Sequence, residues 1–375
     1  LCVHFLWKEE ETVNVKPELE EVMNMIKVWK ICLAAAVAAA ALSLAGDTAR
    51  ALPGEEVRQL IEALEVGEPL YYENLTIIPV YAAGIDDHGG YTTLDEALAR
   101  GRLEITELAG GTVPQVRMCN RSGDRIFIMG GEILTGGRQD RIVGRDVLLA
   151  PGARDIIVPV YCVEQGRWTY ETEAFGSKAN LGTPELRAEG QKADGESQTR
   201  IWSHVSAISD LAGSPSPTKR FQEAYETGEV SRKISEVRKR MEDIPRLCPD
   251  AIGAVIGVGN HITSVDIFSN PQMFRRLWPK ILRSSALALV WEHRWGTLTQ
   301  ADAIGFLRRL HDRTYVSKPA ISLGFELTAI DSEVNVNALV YGGAVIHLAG
   351  FPEDPAGCPG RRPENNDRRI PVMRR

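Results

Sequence analysis

The chain has 375 residues, a quarter of them charged, with 43 Lys and Arg against 50 Asp and Glu and a formal net charge of −7. That balance provides no general attraction to a polyanion, so nucleic acid is not an expected partner. The length suits one large domain or two smaller ones, either with a proper hydrophobic core.

Lys27 and Lys30 precede an apolar run from Ile31 to Ala45 that only Ser43 interrupts, and Ala49-Arg50-Ala51 follows as a small-x-small cleavage signature. Met25 to Ala51 therefore reads as a cleaved secretory signal peptide. The mature protein is expected to start at Leu52 and to be periplasmic or extracellular. The run is too short and alanine-rich to span a bilayer well, which takes roughly 20 strongly apolar residues. An uncleaved anchor is the competing reading, and Cys32 stands at the wrong end of the run for a lipoprotein. Residues 1–24 are expected to be upstream sequence translated in error. Glu20-Glu21-Val22-Met23-Asn24-Met25 can be encoded by a purine-rich ribosome-binding site just ahead of an initiating Met25. The expected mature chain, 324 residues with 38 basic and 43 acidic side chains, has no transmembrane segment.

Gly54 to Val66 places Val57, Leu60, Ile61 and Leu64 on one face of a helix. A strand is expected at Leu75–Tyr81. A short helix follows, capped by Thr92 or Thr93 and stopped by Gly101, then a strand at Leu103–Leu108. Val116–Asn120 and Arg125–Met129 flank Arg121-Ser122-Gly123-Asp124 and read as a hairpin. Asp146–Leu149 and Ile156–Val163, joined through Pro151-Gly152, read as another pair. From Thr169 to Asp250 the composition turns polar and helix-prone, with Ile234, Val237, Met241 and Ile244 marking an amphipathic helix. Its basic residues (Arg232, Lys233, Arg238, Lys239, Arg240) read as a solvated face. Ala251–Val258 and Ile262–Phe268 form a hairpin about Gly259-Asn260. Asn270-Pro271 opens a helix through Trp291 that Pro279 would bend. Thr299 caps another through His311, and strands are expected at Ser322–Ile330 and Val334–Ala349. Residues 352–375 lack periodicity and are expected to be disordered.

The expected class is thus α+β: antiparallel β-sandwich-like sheets with several packed helices, preceded by a signal peptide. A single domain over 52–351 would be β-rich at 70–168, helical at 169–250 and built of hairpin, helix and strands at 251–351.

One segment concentrates polar chemistry: Gly130-Gly131-Glu132-Ile133-Leu134-Thr135-Gly136-Gly137-Arg138-Gln139-Asp140-Arg141, followed by Gly144-Arg145-Asp146. Glycines let backbone N–H groups approach an anion, and Arg presents a planar fork suited to phosphate or carboxylate. Glu132 and Asp140 are candidate acid–base groups. The structural alternative is a β-bulge held by an internal Arg–carboxylate network. Neither a Walker loop nor a dinucleotide fingerprint is present. A second cluster runs from Val158 to Trp168. There Glu164 is a third acid–base candidate, Gln165 and Arg167 suit a pocket rim, and Trp168 could stack on a planar ligand or sugar. Cys162 is a candidate nucleophile only if a histidine is near; His204, His261, His293 and His347 are all remote in sequence, and a packed thiol is the better reading. The candidate ligand-binding set is Gly136, Gly137, Arg138, Gln139, Arg141, Gln165, Arg167 and Trp168. Asp86-Asp87-His88 has metal-ligand residue types but reads equally as a turn. The absence of any CxxC or Cys/His cluster argues against zinc, no metal site is assigned, and no motif specifies a cofactor.

Gly131–Arg141, Val158–Trp168 and the hairpin-helix Gly253–Ser285, with Asp266, Phe268, Phe274, Trp278 and Lys280, together resemble one family. It is the ARG- and rhodanese-phosphatase-superfamily-associated protein domain, ARG denoting ADP-ribosylglycohydrolase. The resemblance covers roughly Leu70 to Phe351. It implies a link to ADP-ribose or nucleotide chemistry and no particular reaction. The expected function is a binding or accessory domain for a small anionic ligand that is nucleotide-, ADP-ribose- or sugar-like. A hydrolase or transferase on a related substrate, and a structural envelope protein, are the alternatives.

Overall fold

The structure, a computed structural model, describes residues 53–84, 90–108, 114–214, 216–290 and 294–353. The expected signal peptide and upstream segment, Asp86-Asp87-His88, and the tail from 354 onward lie outside the described residues. From Pro53 the chain forms one compact unit. It is α+β, with antiparallel sheets and packed helices.

The largest sheet has nine strands, ordered β1(Leu64–Val66), β3(Leu75–Ala82), β13(Ala251–Val258), β14(His261–Phe268), β18(Ala344–Pro352), β17(Val334–Tyr341), β16(Phe325–Ile330), β15(Val316–Pro319), with β2(Leu70–Tyr72) also on β3. Its neighbours all pair antiparallel. Alternation along β3 sends Leu75 and Ile77 to one face and Ile78 and Val80 to the other. The second face is covered by α1(Glu55–Glu62) and α9(Gln300–His311) through Val57, Leu60, Phe306 and Leu310. Thr299 and Asp302 close a capping box at the start of α9.

The first face is covered by α8(Pro271–Ala288), whose stripe Phe274, Leu277, Trp278 and Ile281 is buried. Each such side chain contributes about 1.5–3 kcal/mol by leaving water. Asn270 caps α8 by accepting from Met273 N at 2.8 Å, and the helix continues unbroken past Pro279. Beside α8 lie α6(Gly228–Met241), linked through Trp278 Nε1 to Met241 O at 3.0 Å, and the short α7(Ile244–Leu247). Elements α3(Pro184–Lys192), α4(Ser197–Leu211) and α5(Phe221–Ala224) complete the helical segment.

The second β unit is a closed six-stranded barrel where sandwich-like sheets were expected. It runs β11(Ile156–Cys162), β6(Gln115–Asn120), β5(Leu103–Glu107), β12(Thr172–Gly176), β8(Ile133–Gly137), β9(Arg141–Val143). Val116, Met118, Leu134, Val158 and Val160 fill its interior together with Leu94 of α2(Leu94–Ala99). Closure leaves no open edge, which a sheet this short would otherwise expose. A three-stranded sheet, β10(Val147–Leu149), β7(Ile126–Ile128), β4(Thr92–Thr93), lies beside it.

Several expectations change. Helix α1 ends at Glu62, and Leu64–Val66 turns into an edge strand. The two expected hairpins are not hairpins. β6 pairs with β5 and β11, β7 with β10 and β4, and β11 with β6 and β9. The turns at 121–124 and 150–153 hand the chain between barrel and small sheet, and Asn120 holds both by donating to Asp124 O (2.7 Å) and Ala150 O (2.8 Å). The polar segment after Thr169 is helical as expected, except that β12 completes the barrel. The expected strand Val334–Ala349 is two strands folded back at Gly342-Gly343, whose φ values of 63° and 84° permit the tight turn.

Candidate functional site

Strands β8 and β9 bring the Gly/Arg segment to one end of the barrel, and the chain beyond β11 brings Glu164–Tyr170 beside it. Asp140 is fully buried there. It accepts from Gly136 N (3.0 Å) and from Arg220 Nε (2.7 Å) and Nη2 (3.0 Å). Glu164 takes both forks of Arg167 (2.9 and 2.7 Å), the Thr218 hydroxyl (3.1 Å) and Asp140 N (3.1 Å). Arg220 also reaches Glu171 at 2.8 Å. Burial raises the Asp140 carboxyl above its usual range, offset in part by Arg220. Burial acts the same way on Glu164, but the hydrogen bonds from Arg167 and Asp140 N and the charges of Arg167 and Arg220 together outweigh it and hold that carboxyl below its usual range.

Glu107, at the end of β5, accepts from Arg138 N at 2.8 Å and lies 3.5 Å from buried Arg141. Arg141 also donates to Gln139 O at 3.0 Å. Arg138, Arg141, Arg167 and Arg220 thus meet Glu107, Asp140, Glu164 and Glu171, four cations against four anions. Among the four guanidiniums Arg138 is the most exposed, its side chain 27% accessible. It lies over the rings of Trp168 (5.5 Å) and Tyr170 (4.8 Å), which are 49% and 53% exposed.

The structure therefore brings Arg138, Gln139, Asp140, Arg141, Glu164, Gln165, Arg167 and Trp168 together. The glycines serve packing: a Cβ on Gly136, whose φ is 117°, would overlap the Thr172 hydroxyl of β12. Gly136 N is committed to Asp140. Gly137 O accepts from Arg167 at 2.8 Å. Gln139 Nε2 donates to Gln165 O at 3.3 Å. Cys162 is buried, and its thiol lies 3.0 Å from Gln139 Oε1. Burial pushes that thiol up to about 11, where little thiolate exists at neutral pH. Cys119, Cys162 and Cys248 are free thiols.

Glu132 stands apart from this group. It accepts from Met129 N (3.0 Å) and pairs with Lys280 of α8, which also holds Asp95 at 2.5 Å. Burial raises the Glu132 carboxyl to about 7 against the pull of Lys280. A third buried cluster joins the barrel region to the large sheet. Arg187 of α3 grips Asp266 of β14 with both forks (3.0 and 2.5 Å). His347 of β18 lies between Asp266 (3.2 Å) and Asp146 (2.7 Å) and stacks on Phe268 at 4.4 Å.

Sequence reasoning missed Arg220, Glu107, Tyr170 and Glu171 as members of the site. Tyr170 follows Trp168 at the strand period, a usable signal. Arg220 lies 80 residues from Asp140 and carries none. Two clefts of about 550 Å³ each are lined by other residues, one beside α3 and the β13–β14 turn, the other beside Tyr81 and Asp250. Among the described residues no group of three or more His, Cys, Asp or Glu could hold a metal ion, and no helix is long and apolar enough to cross a membrane.

Fold and site define an α+β protein in which a closed barrel, with a network of Arg–carboxylate pairs at one end, shares one compact unit with a helix-covered antiparallel sheet. Residues 63–351 match the ARG and Rhodanese-Phosphatase-superfamily-associated Protein domain, ARPP-1, and the chain belongs to that family. Comparison with curated proteins and with solved structures returns no match.

Proposed function

We propose that the chain is a binding domain for a small anionic ligand with a planar or ring-shaped part, docking on the face of Arg138, Trp168 and Tyr170. The observation that carries this reading is the partly exposed Arg138 guanidinium lying over two exposed aromatic rings, beside a buried, charge-balanced network. Phosphate or carboxylate suits the Arg138 fork, and a base or sugar ring suits the aromatic faces. The neutralised network beside it keeps the platform rigid, which lowers the ordering cost of binding. ADP-ribose combines these chemistries and is the first ligand to test.

A binding role suits the site better than turnover. Cys162 is a protonated, packed thiol. Glu132, the acid nearest neutrality, is buried against Lys280 rather than beside the platform. The four-to-four charge balance supports a second, purely structural reading, and one experiment separates the two. Calorimetric titration with ADP-ribose, AMP and inorganic phosphate is expected to show ADP-ribose binding that weakens at least tenfold in Arg138→Ala and in Trp168→Ala, with melting temperatures little changed. An absence of binding, combined with a large loss of stability in Arg138→Ala, would favour the structural role.

We further propose export, supported by the pattern from Lys27 to Ala51. The protein recovered from the cell envelope or medium is expected to begin at Leu52 on N-terminal sequencing, and a mature end elsewhere rejects that cleavage site.

A further inference from the structure

The cleft beside α3 lies away from the Arg138 platform. Glu185 and Glu189 of α3, His204 of α4, Arg294, Leu298 and Arg309 line it. Thr263, Phe351 and Glu353 also line it. Trp295, flanked by cleft-lining Arg294 and Leu298, is 90% exposed. Its segment is not slack. Asn74 Nδ2 donates to Arg294 O (3.4 Å), the Tyr71 hydroxyl to Leu298 O (3.2 Å), and Leu298 N to the Thr76 hydroxyl (3.2 Å). Gly296 lies against Asn260, which also lines the cleft. Anchors from β2, β3 and the turn between them thus fix the backbone that carries Trp295 next to cleft-lining Arg294, with Tyr71, itself 51% exposed, tied to the same segment.

The charges in the cleft are largely satisfied already. Lys192 bridges Glu189 (2.9 Å) and Glu353 (3.0 Å). Glu333 is held by Arg313, and Asp302 is engaged in its capping box. Such paired groups exert little net pull on an ionic ligand, yet their remaining lone pairs and N–H groups still accept and donate hydrogen bonds. The side chains of Glu185 and His204 make no hydrogen bond among the described residues. Burial holds the imidazole of His204 below its usual range, so at neutral pH it offers one donor and one acceptor. A largely self-paired polar trough beside an exposed aromatic ring on an anchored backbone matches the surface of a neutral, polyhydroxylated chain. The hydroxyls of such a chain exchange hydrogen bonds with both signs of polar group, and its ring faces are apolar.

We propose that this cleft binds a segment of neutral oligosaccharide, with Trp295 stacking on one sugar ring at the rim. The site is independent of the Arg138 platform. Saturation-transfer NMR and calorimetry with cellohexaose, maltohexaose and chitohexaose on the mature chain test it. At least one hexasaccharide is expected to bind at micromolar to low-millimolar concentration. Affinity should fall at least tenfold in Trp295→Ala and several-fold in Glu185→Gln, and stay unchanged in Arg232→Ala on the exposed face of α6. Trp295 is exposed, so its variant should keep the wild-type circular dichroism and melting temperature. Failure of all three sugars to bind at millimolar concentration overturns the proposal. So does binding indifferent to Trp295→Ala, or binding of hexalysine in place of the sugars.

Discussion

Replacing Asp266 by alanine is expected to cost about 3–5 kcal/mol of folding stability, the range for breaking a buried ion pair from one side. Asp266 is 1% exposed and accepts both forks of Arg187 as well as an imidazole nitrogen of His347. Its loss leaves two buried cationic groups with Asp146 as the carboxylate still in contact. The opposing pull of Arg187 and His347 also explains why Asp266 stays ionised. Burial acts to raise its carboxyl, yet the net result lies well below the usual range. Urea unfolding of Asp266→Ala against the wild type measures the effect. The exposed α6 pair Arg232–Glu236, 2.9 Å apart, provides the contrast, since Arg232→Ala should change stability by no more than about 0.5 kcal/mol. A loss below about 1 kcal/mol in Asp266→Ala would mean that water reaches the cluster.

Stability is expected to fall as the pH rises from about 6.5 to about 9, and His347→Gln should remove that part of the slope. Burial opposes the charged imidazole, but Asp146 and Asp266 outweigh it and raise His347 from 6.5 to about 9. Between those values the native protein keeps a proton that the unfolded chain has released. The stabilisation is therefore complete below about pH 6.5 and is lost as the pH climbs through 9, a change on the order of 3 kcal/mol. Glu132, raised to about 7, adds a fall of the same sign in the window from 4.5 to 7. It is common to both proteins and cancels in the difference. The measurement is the wild-type stability minus that of His347→Gln at pH 6 and at pH 9. A difference that does not shrink with pH would show that His347 is neutral in the native state.

Local patterns were legible wherever the physics is local. The hairpin about Gly259-Asn260, the Asn270 cap of α8, the Thr299 cap of α9 and the helical character of α6 all follow from side-chain period and capping chemistry within a few residues. So did the concentration of polar chemistry at Glu132–Arg141 and Glu164–Trp168, and the family to which the chain belongs. Of the basic face of α6, Arg232, Arg238, Lys239 and Arg240 are solvated as read, with Arg238 returning to Glu242 at 2.7 Å, whereas Lys233 is largely covered and pairs with Glu73 at 2.7 Å.

What escaped the sequence depends on partners far away in the chain. Turn residues at 121–124 and 150–153 mark a reversal but not which strand the chain pairs with after it. Strand pairing is decided by which edges remain open, and barrel closure used them otherwise. The ionic partners Asp140–Arg220, Glu132–Lys280 and Arg187–Asp266 are 80, 148 and 79 residues apart. An isolated Arg or Glu carries no mark of whether it meets solvent, a ligand or another buried charge. The sequence by itself determined most of the elements, the polar segments and the family. Only the tertiary structure decided that most of those charges pair with one another in three buried or half-buried clusters and that Arg138, lying over two exposed aromatic rings, is the most accessible guanidinium of its cluster.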